Sequence, residues 1–263
     1  MSTNEVHNLE EGSAVAAGHE HAHNPMSQFE VNKIFDLQLL GFDISFTNSS
    51  LYMVLATVLS ILLLHFSTRK KLLVPSRFQV IGEGLYGFVN NMVKGSIGDE
   101  GEKFFPLVFT LFLFILLCNL LGMTPYSFTS TSQIAVTLSL ALVSFITVTV
   151  FALIRHGLIG FFHLFLPSGV PIWMAPLIFA IELFSFLIRP VTLSVRLFAN
   201  MVAGHVLLKV VAGFIVSMGA IYGIFPFLFS VVMTGFEIFV AVLQAYIFAI
   251  LVCAYLGDVT KEH

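Results

Sequence analysis

Ionisable side chains recur in two apolar stretches near the C-terminal end of the sequence. One stretch carries Glu182, Arg189, Arg196, His205 and Lys209, and the other carries Glu237. The amides of Asn200 and Gln244 and the phenol of Tyr255 join them. Such groups are costly in lipid, and they mark a pathway or a site by default. The chemistry open to this set is proton movement. Carboxylates and imidazole take up and release protons, and histidine does so near neutral pH. Arginine keeps its charge in a protein.

Spacing adds to composition. At 100° per residue, Arg189 falls about 20° from Arg196 around a helix, and Glu182 and Asn200 each about 40° from it. These four share a stripe. Glu237 and Gln244 are nearly aligned on the other helix, and Tyr255 falls on the same face. Two polar stripes on consecutive antiparallel helices predict a polar seam inside the bilayer. The rise per residue puts Glu182 about 21 Å to one side of Arg196 and His205 about 13 Å to the other. On the returning helix Glu237 lies about 10 Å from Gln244. If Gln244 is level with Arg196, then His205 and Glu237 reach similar depths. His205 points about 180° from Arg196 and is expected to line a separate cavity.

Plainer roles compete. Lys209 has the place of a residue that snorkels to an interface. Arg189 can be a structural partner of Glu182, and Glu237 and His205 can be a buried structural pair. Arg196 resists such a reading best. It sits in mid-span, it cannot become neutral, and no acidic residue lies three or four positions from it. Its countercharge is expected on another chain.

The elements that position these groups follow from composition. Of 263 residues, 57% are apolar and 10% charged, and the mean hydropathy is +0.95. Soluble domains carry about 25% charged residues, so the chain belongs to the membrane class. A net charge of −3 gives no sign of a nucleic-acid partner. Cys118 and Cys253 lie in apolar runs without a CxxC pattern and read as core residues. Residues 1–43 are polar and hold seven acidic residues against Lys33. They read as a tail outside the membrane, with no signal peptide in it. The tail's Gly18-His19-Glu20-His21-Ala22-His23 run is not expected to be a metal site, because a mobile segment does not fix ligand geometry. Residues 29–43 are expected to form a short interfacial segment, and residues 44–263 a membrane domain.

Residues 44–64 carry no charge and suffice for one span. Arg69-Lys70-Lys71 then mark a cytoplasmic end. Residues 75–98 mix apolar side chains with Arg77, Gln79, Glu83, Asn90, Asn91 and Lys94, which predicts an amphipathic surface helix beginning at Pro75. The uncharged run 104–154 is two spans with a turn at 122–132, ending at Arg155-His156. Residues 157–171 read as a re-entrant or interfacial link. Residues 176–211 and 214–256 form the last two helices. Both exceed what a span needs, so they are expected to be tilted or kinked. The expectation is an all-α integral membrane protein with five transmembrane helices, one amphipathic surface helix, the N-terminus outside and the C-terminus, at Lys261, inside. No internal repeat is evident, unlike many secondary transporters.

Three runs carry a resemblance. Arg189-Pro190-Val191-Thr192-Leu193-Ser194-Val195-Arg196-Leu197-Phe198-Ala199-Asn200-Met201-Val202-Ala203-Gly204-His205 resembles the signature of the a subunit of F-type ATP synthases. Leu243-Gln244-Ala245-Tyr246-Ile247-Phe248 and Asn119-Leu120-Leu121-Gly122-Met123-Thr124-Pro125 resemble two further motifs of that family, in the same order. The resemblance extends over about residues 30–263. It implies that Arg196 faces the membrane carboxylate of each c-ring subunit, with Asn200 and Gln244 as polar neighbours of the proton path. Glu182 then matches the cytoplasmic outlet side, and His205 and Glu237 the outer inlet side. In some bacterial relatives the last pair is reversed. The arrangement here, like Pro125-Tyr126-Ser127-Phe128-Thr129, is similar to mitochondrial relatives. The resemblance also implies b-type peripheral stalk subunits as partners, surrounding membrane lipid, no cofactor and no catalytic residue in the chain itself. The polar tail departs from the family pattern. The absence of an Arg-rich leader favours a bacterial inner membrane, with the mitochondrial inner membrane as the alternative.

Two other classes remain open on the sequence. A transporter working alone predicts flux from the purified chain in liposomes. A scaffold whose charges only hold helices together predicts tolerance of Arg196→Lys.

Overall fold

The computed structural model describes residues 33–35, 38–39, 42–43, 45–69, 76–124, 127–163 and 174–261. The histidine-containing tail, Lys70-Lys71, Pro75, Pro125-Tyr126 and most of the expected link at 157–171 lie outside the described residues. In and just after the expected interfacial segment at 29–43, the described residues form two short antiparallel ribbons. β1 (Lys33–Phe35) pairs with β4 (Phe46–Thr47), and β2 (Gln38–Leu39) with β3 (Phe42–Asp43). Strands this short do not stand alone, and from residue 48 onward the described architecture is entirely helical.

Among the described residues, five helices are long and apolar enough to cross a membrane. α1 (Asn48–Thr68) starts at Thr47, whose hydroxyl caps the Ser50 amide. α2 (Arg77–Ile97) is the amphipathic helix. It starts at Ser76, whose hydroxyl takes the Gln79 amide, and it stops at Gly98 with φ 86°. α3 (Phe105–Gly122) and α4 (Ile134–His163) enclose the expected turn, with a short 3₁₀ segment at Ser130–Ser132. α5 (Ala175–Tyr222) and α6 (Ile224–Lys261) follow.

The boundary between α5 and α6 differs from expectation. Ala212 and Gly213 stay within α5, and the chain breaks at Gly219 instead, with φ 72° and ψ 178°. That backbone region is essentially open only to glycine. Gly213 carries no such conformation, so a glycine in the sequence was not by itself a breaker. Gly157 makes the equivalent break inside α4, at φ 69°.

At about 1.5 Å per residue the 45 residues of α5 up to the break, Ala175–Gly219, extend about 68 Å, more than twice the roughly 30 Å of bilayer hydrocarbon. Its exposed side chains are apolar at both ends, from Leu177 and Ile181 to Val216 and Met218. A helix apolar along such a length must run steeply inclined to stay in lipid.

α3 is the most buried of the five long helices and α1 the least. Val108, Phe112 and Ile115 of α3 join Ala245, Phe248 and Val252 of α6 in one apolar core. Cys118 and Cys253 are buried free thiols in that core. The Asn119 amide donates to the Ala241 carbonyl at 3.2 Å and ties the two helices at that level. α6 also packs on α2, α4 and α5. It is therefore held on several sides, and α5 lies along it.

Candidate functional site

Three side-chain contacts cross between α5 and α6. The Arg189 guanidinium lies 4.8 Å from the centre of the Tyr255 ring. Asn200 Nδ2 donates to Gln244 Oε1 at 3.0 Å. His205 Nδ1 stands 3.2 Å from Glu237 Oε1. From Arg189 to Asn200 is eleven residues forward, and from Tyr255 to Gln244 is eleven back. The two helices are thus antiparallel and in step, and the expected polar seam is present along them.

The contacts settle positions that the spacing left open. Gln244 is level with Asn200 rather than with Arg196, a shift of one turn, or about 6 Å. Arg189 makes no ion pair with Glu182 among the described residues. Its charge lies over the rings of Tyr255 and, at 5.9 Å, Phe186. Such cation–π contacts contribute about 0.5–2 kcal/mol. His205 lies against Glu237.

Glu237 and His205 are both buried, at 5% and 7% exposure, so their mutual contact outweighs solvent screening. The approach at 3.2 Å is ionic in distance, and its angle does not make Glu237 Oε1 a hydrogen-bond acceptor. Gly204 makes the room for this carboxylate. A Cβ at position 204 would lie 2.6 Å from Glu237 Oε1. Lys209, half-buried one turn beyond His205, acts electrostatically on the imidazole.

A cavity of about 470 Å³ opens between α5 and α6. Asn200, Gly204, Glu237 and Gln244 line it among apolar neighbours such as Leu207 and Phe236. The Gln244 amide nitrogen is buried beside it with no hydrogen-bond partner among the described residues. Buried polar groups of this kind are ordinarily satisfied, so the cavity wall offers a donor and a carboxylate to water or to another group.

Arg196 differs from its neighbours. It is exposed on α5 between the Arg189 and Asn200 contacts, and no carboxylate of the described residues lies within ion-pair distance. Glu182 is half-buried nearer the start of α5. The seam therefore has Glu237 and His205 at one end, Glu182 at the other, and an exposed fixed charge between.

Two participants were not singled out from the sequence. Gly204 was quoted only as part of a motif, and its signal is steric. Thr129 lies in the turn between α3 and α4, and its hydroxyl oxygen is 2.8 Å from His205 Nε2. The signal was available in the run of hydroxyl residues there. Ser127, Thr129, Ser130, Thr131 and Ser132 are all buried, and all but Thr131 use their hydroxyls in hydrogen bonds among the described residues.

Charges that can exchange protons, arranged along a long membrane helix with a permanent cation midway, suit ion translocation. The family described as ATP synthase A chain matches residues 50–257 of the chain.

Proposed function

The chain belongs to the ATP synthase A chain family, and on that premise we propose that it provides two aqueous half-channels to a c-ring, kept apart by Arg196. As a family member it is a multi-pass membrane subunit of the Fo sector, with a part in proton translocation and a channel-forming rather than a catalytic role. The finer reading is supported above all by the seam itself: proton-exchanging pairs and amides contact one another across α5 and α6, while Arg196 alone is exposed beside them.

A proton enters from the outer side through the cavity at Glu237 and His205 and protonates a carboxylate of the ring. The neutral acid then turns into lipid, because burying it costs far less than burying the ion. Rotation carries another carboxylate to the opposite side, where the proton leaves towards Glu182, past Arg189 and Tyr255. Asn200 and Gln244 hold the seam closed between the two routes. The positive charge of Arg196 favours the ionised carboxylate beside it and repels a proton crossing directly. Arg69 and Arg155 mark cytoplasmic ends by the positive-inside rule, which puts the N-terminus in the periplasm of a bacterial inner membrane and the C-terminus in the cytoplasm. The c-ring meets the Arg196 face, and b-type stalk subunits hold the chain still.

Arg196→Ala tests this reading in inverted membrane vesicles carrying the whole complex. ATP-driven proton pumping and ATP synthesis should both be abolished at normal assembly. Normal pumping by that variant would overturn the assignment, and full activity of Arg196→Lys would favour a merely structural charge.

A further inference from the structure

The geometry points to a lipid headgroup site between α1 and α2, centred on the carboxylate of Glu83 and fitted to the primary ammonium of a phosphatidylethanolamine. It stands apart from the half-channels and does not depend on them.

The site follows from how the two helices meet. α1 ends at Thr68 and α2 starts at Arg77. The end of a membrane span and the start of an amphipathic surface helix thus share the level of the lipid headgroups. They touch at Gly82, where a Cβ would collide with Ser67 Oγ. The second half of α2 is anchored, with Val89, Val93 and Ile97 buried in the core, whereas Phe78, Val80 and Ile81 near its start are exposed. A cavity of about 300 Å³ lies between α1, the first half of α2 and Phe109 of α3.

Its wall is amphipathic and rich in lone pairs. Leu64, Phe109 and Tyr86 supply the apolar part, and Ser67, Thr68, Gln79 and Glu83 the polar part. The single hydroxyl hydrogen of Thr68 goes to the Leu64 carbonyl at 2.9 Å. Gln79 Nε2 donates to Glu83 Oε1 at 2.8 Å. A carboxylate only accepts, so this contact fixes the amide with its nitrogen towards Glu83. The amide oxygen is buried with no hydrogen-bond partner among the described residues. Thr68, Glu83 and the Gln79 oxygen therefore all present acceptors.

An occupant must give hydrogens, balance the Glu83 charge and continue into an apolar body. A primary ammonium has three hydrogens to give, and the rings of Tyr86 and Phe109 attract a cation as well. A quaternary ammonium has no hydrogen for the acceptors. The cavity is at the small end of ligand pockets, the size of a headgroup rather than of a whole lipid. Arg69 caps α1 and Arg77 opens α2, which brings two guanidinium groups to the same level for a phosphate. Phe66 and Phe78 are exposed nearby, with ring centroids 6.3 Å apart, and offer acyl chains an apolar surface that a soluble amine would not use.

The test exchanges the purified whole complex into micelles holding equal amounts of phosphatidylethanolamine and phosphatidylcholine, and counts retained lipids by native mass spectrometry. The wild type should retain about one more phosphatidylethanolamine than Glu83→Gln. The variant should bind that lipid about fivefold more weakly, the upper range for an exposed ion pair. If Glu83→Gln hinders assembly, the wild-type complex is titrated with lipids whose ammonium is methylated stepwise, and retention should fall with each methyl group. Equal retention of the two lipids by the wild type, equal retention of phosphatidylethanolamine by wild type and Glu83→Gln, or no response to methylation would overturn the inference. So would cross-linking of Glu83→Cys to a neighbouring subunit in the assembled complex, since a protein segment would then fill the cavity.

Discussion

Gly204 on α5 and Glu237 on α6 share one space: a Cβ on the glycine would stand 2.6 Å from Glu237 Oε1 and 3.1 Å from Cδ. The clash is with the far end of a flexible side chain, so the fold can absorb it by moving the carboxylate. Gly204→Ala should therefore assemble normally and lose about tenfold in pumping, given that a misplacement of about 1 Å can cost about a hundredfold. Quantifying the chain in the purified complex beside the pumping rate checks both halves. An undisturbed rate would mean that the carboxylate position is not critical.

Glu237→Gln keeps size and burial and removes the exchangeable proton. Pumping should fall at least about tenfold, the low end for a removed acid–base group, while assembly is retained. Wild-type flux would instead assign Glu237 and His205 to a purely structural pair.

The Asn200–Gln244 hydrogen bond should show up as coupling rather than as a single large loss. Asn200→Ala strands the buried Gln244 oxygen and should cost about 1–3 kcal/mol, the desolvation penalty of an unsatisfied buried group. Gln244→Leu removes both buried amide ends. The double variant should be less destabilised than the separate losses imply, by about 1 kcal/mol. Thermal unfolding of the four purified forms would reveal it, and strict additivity would argue that the two side chains do not interact.

Gly219 and Gly213 lie on the same helix and should respond oppositely. Gly219→Ala forces a methyl group into a backbone conformation at φ 72°, and should destabilise by about 1–3 kcal/mol. Gly213→Ala meets no atom within 4 Å and removes glycine entropy from a helix interior, a gain of about 0.5–1 kcal/mol. Melting temperatures of the two variants in detergent decide it. Tolerance at 219 with damage at 213 would move the helix break back to the earlier glycine.

Much of the fold was legible because lipid imposes long apolar runs, and runs of that length survive any detail of packing. The five spans, the amphipathic α2 and the turn after Gly122 follow from hydropathy and turn formers. The helix break at Gly219 was not legible. Three glycines, at 213, 219 and 223, compete there, and only the backbone dihedrals distinguish them. The ribbons of β1–β4 were missed for a related reason, since strands of two or three residues carry no periodicity to read.

In the candidate site, the helical stripes of Arg189 and Asn200, and of Glu237, Gln244 and Tyr255, were set by spacing along each chain segment. The register between the stripes was not, because two helices can slide by a turn without altering either pattern. The sequence by itself determined which groups must sit in the membrane and that Arg196 cannot shed its charge there. Tertiary structure alone decided that Gln244 meets Asn200, that Arg189 lies over Tyr255 instead of pairing with Glu182, and that Thr129 reaches His205. Those choices depend on side-chain volume and contact across helices far apart in the chain, and Gly204 and Gly122, by having no side chain, determine how closely the partners come.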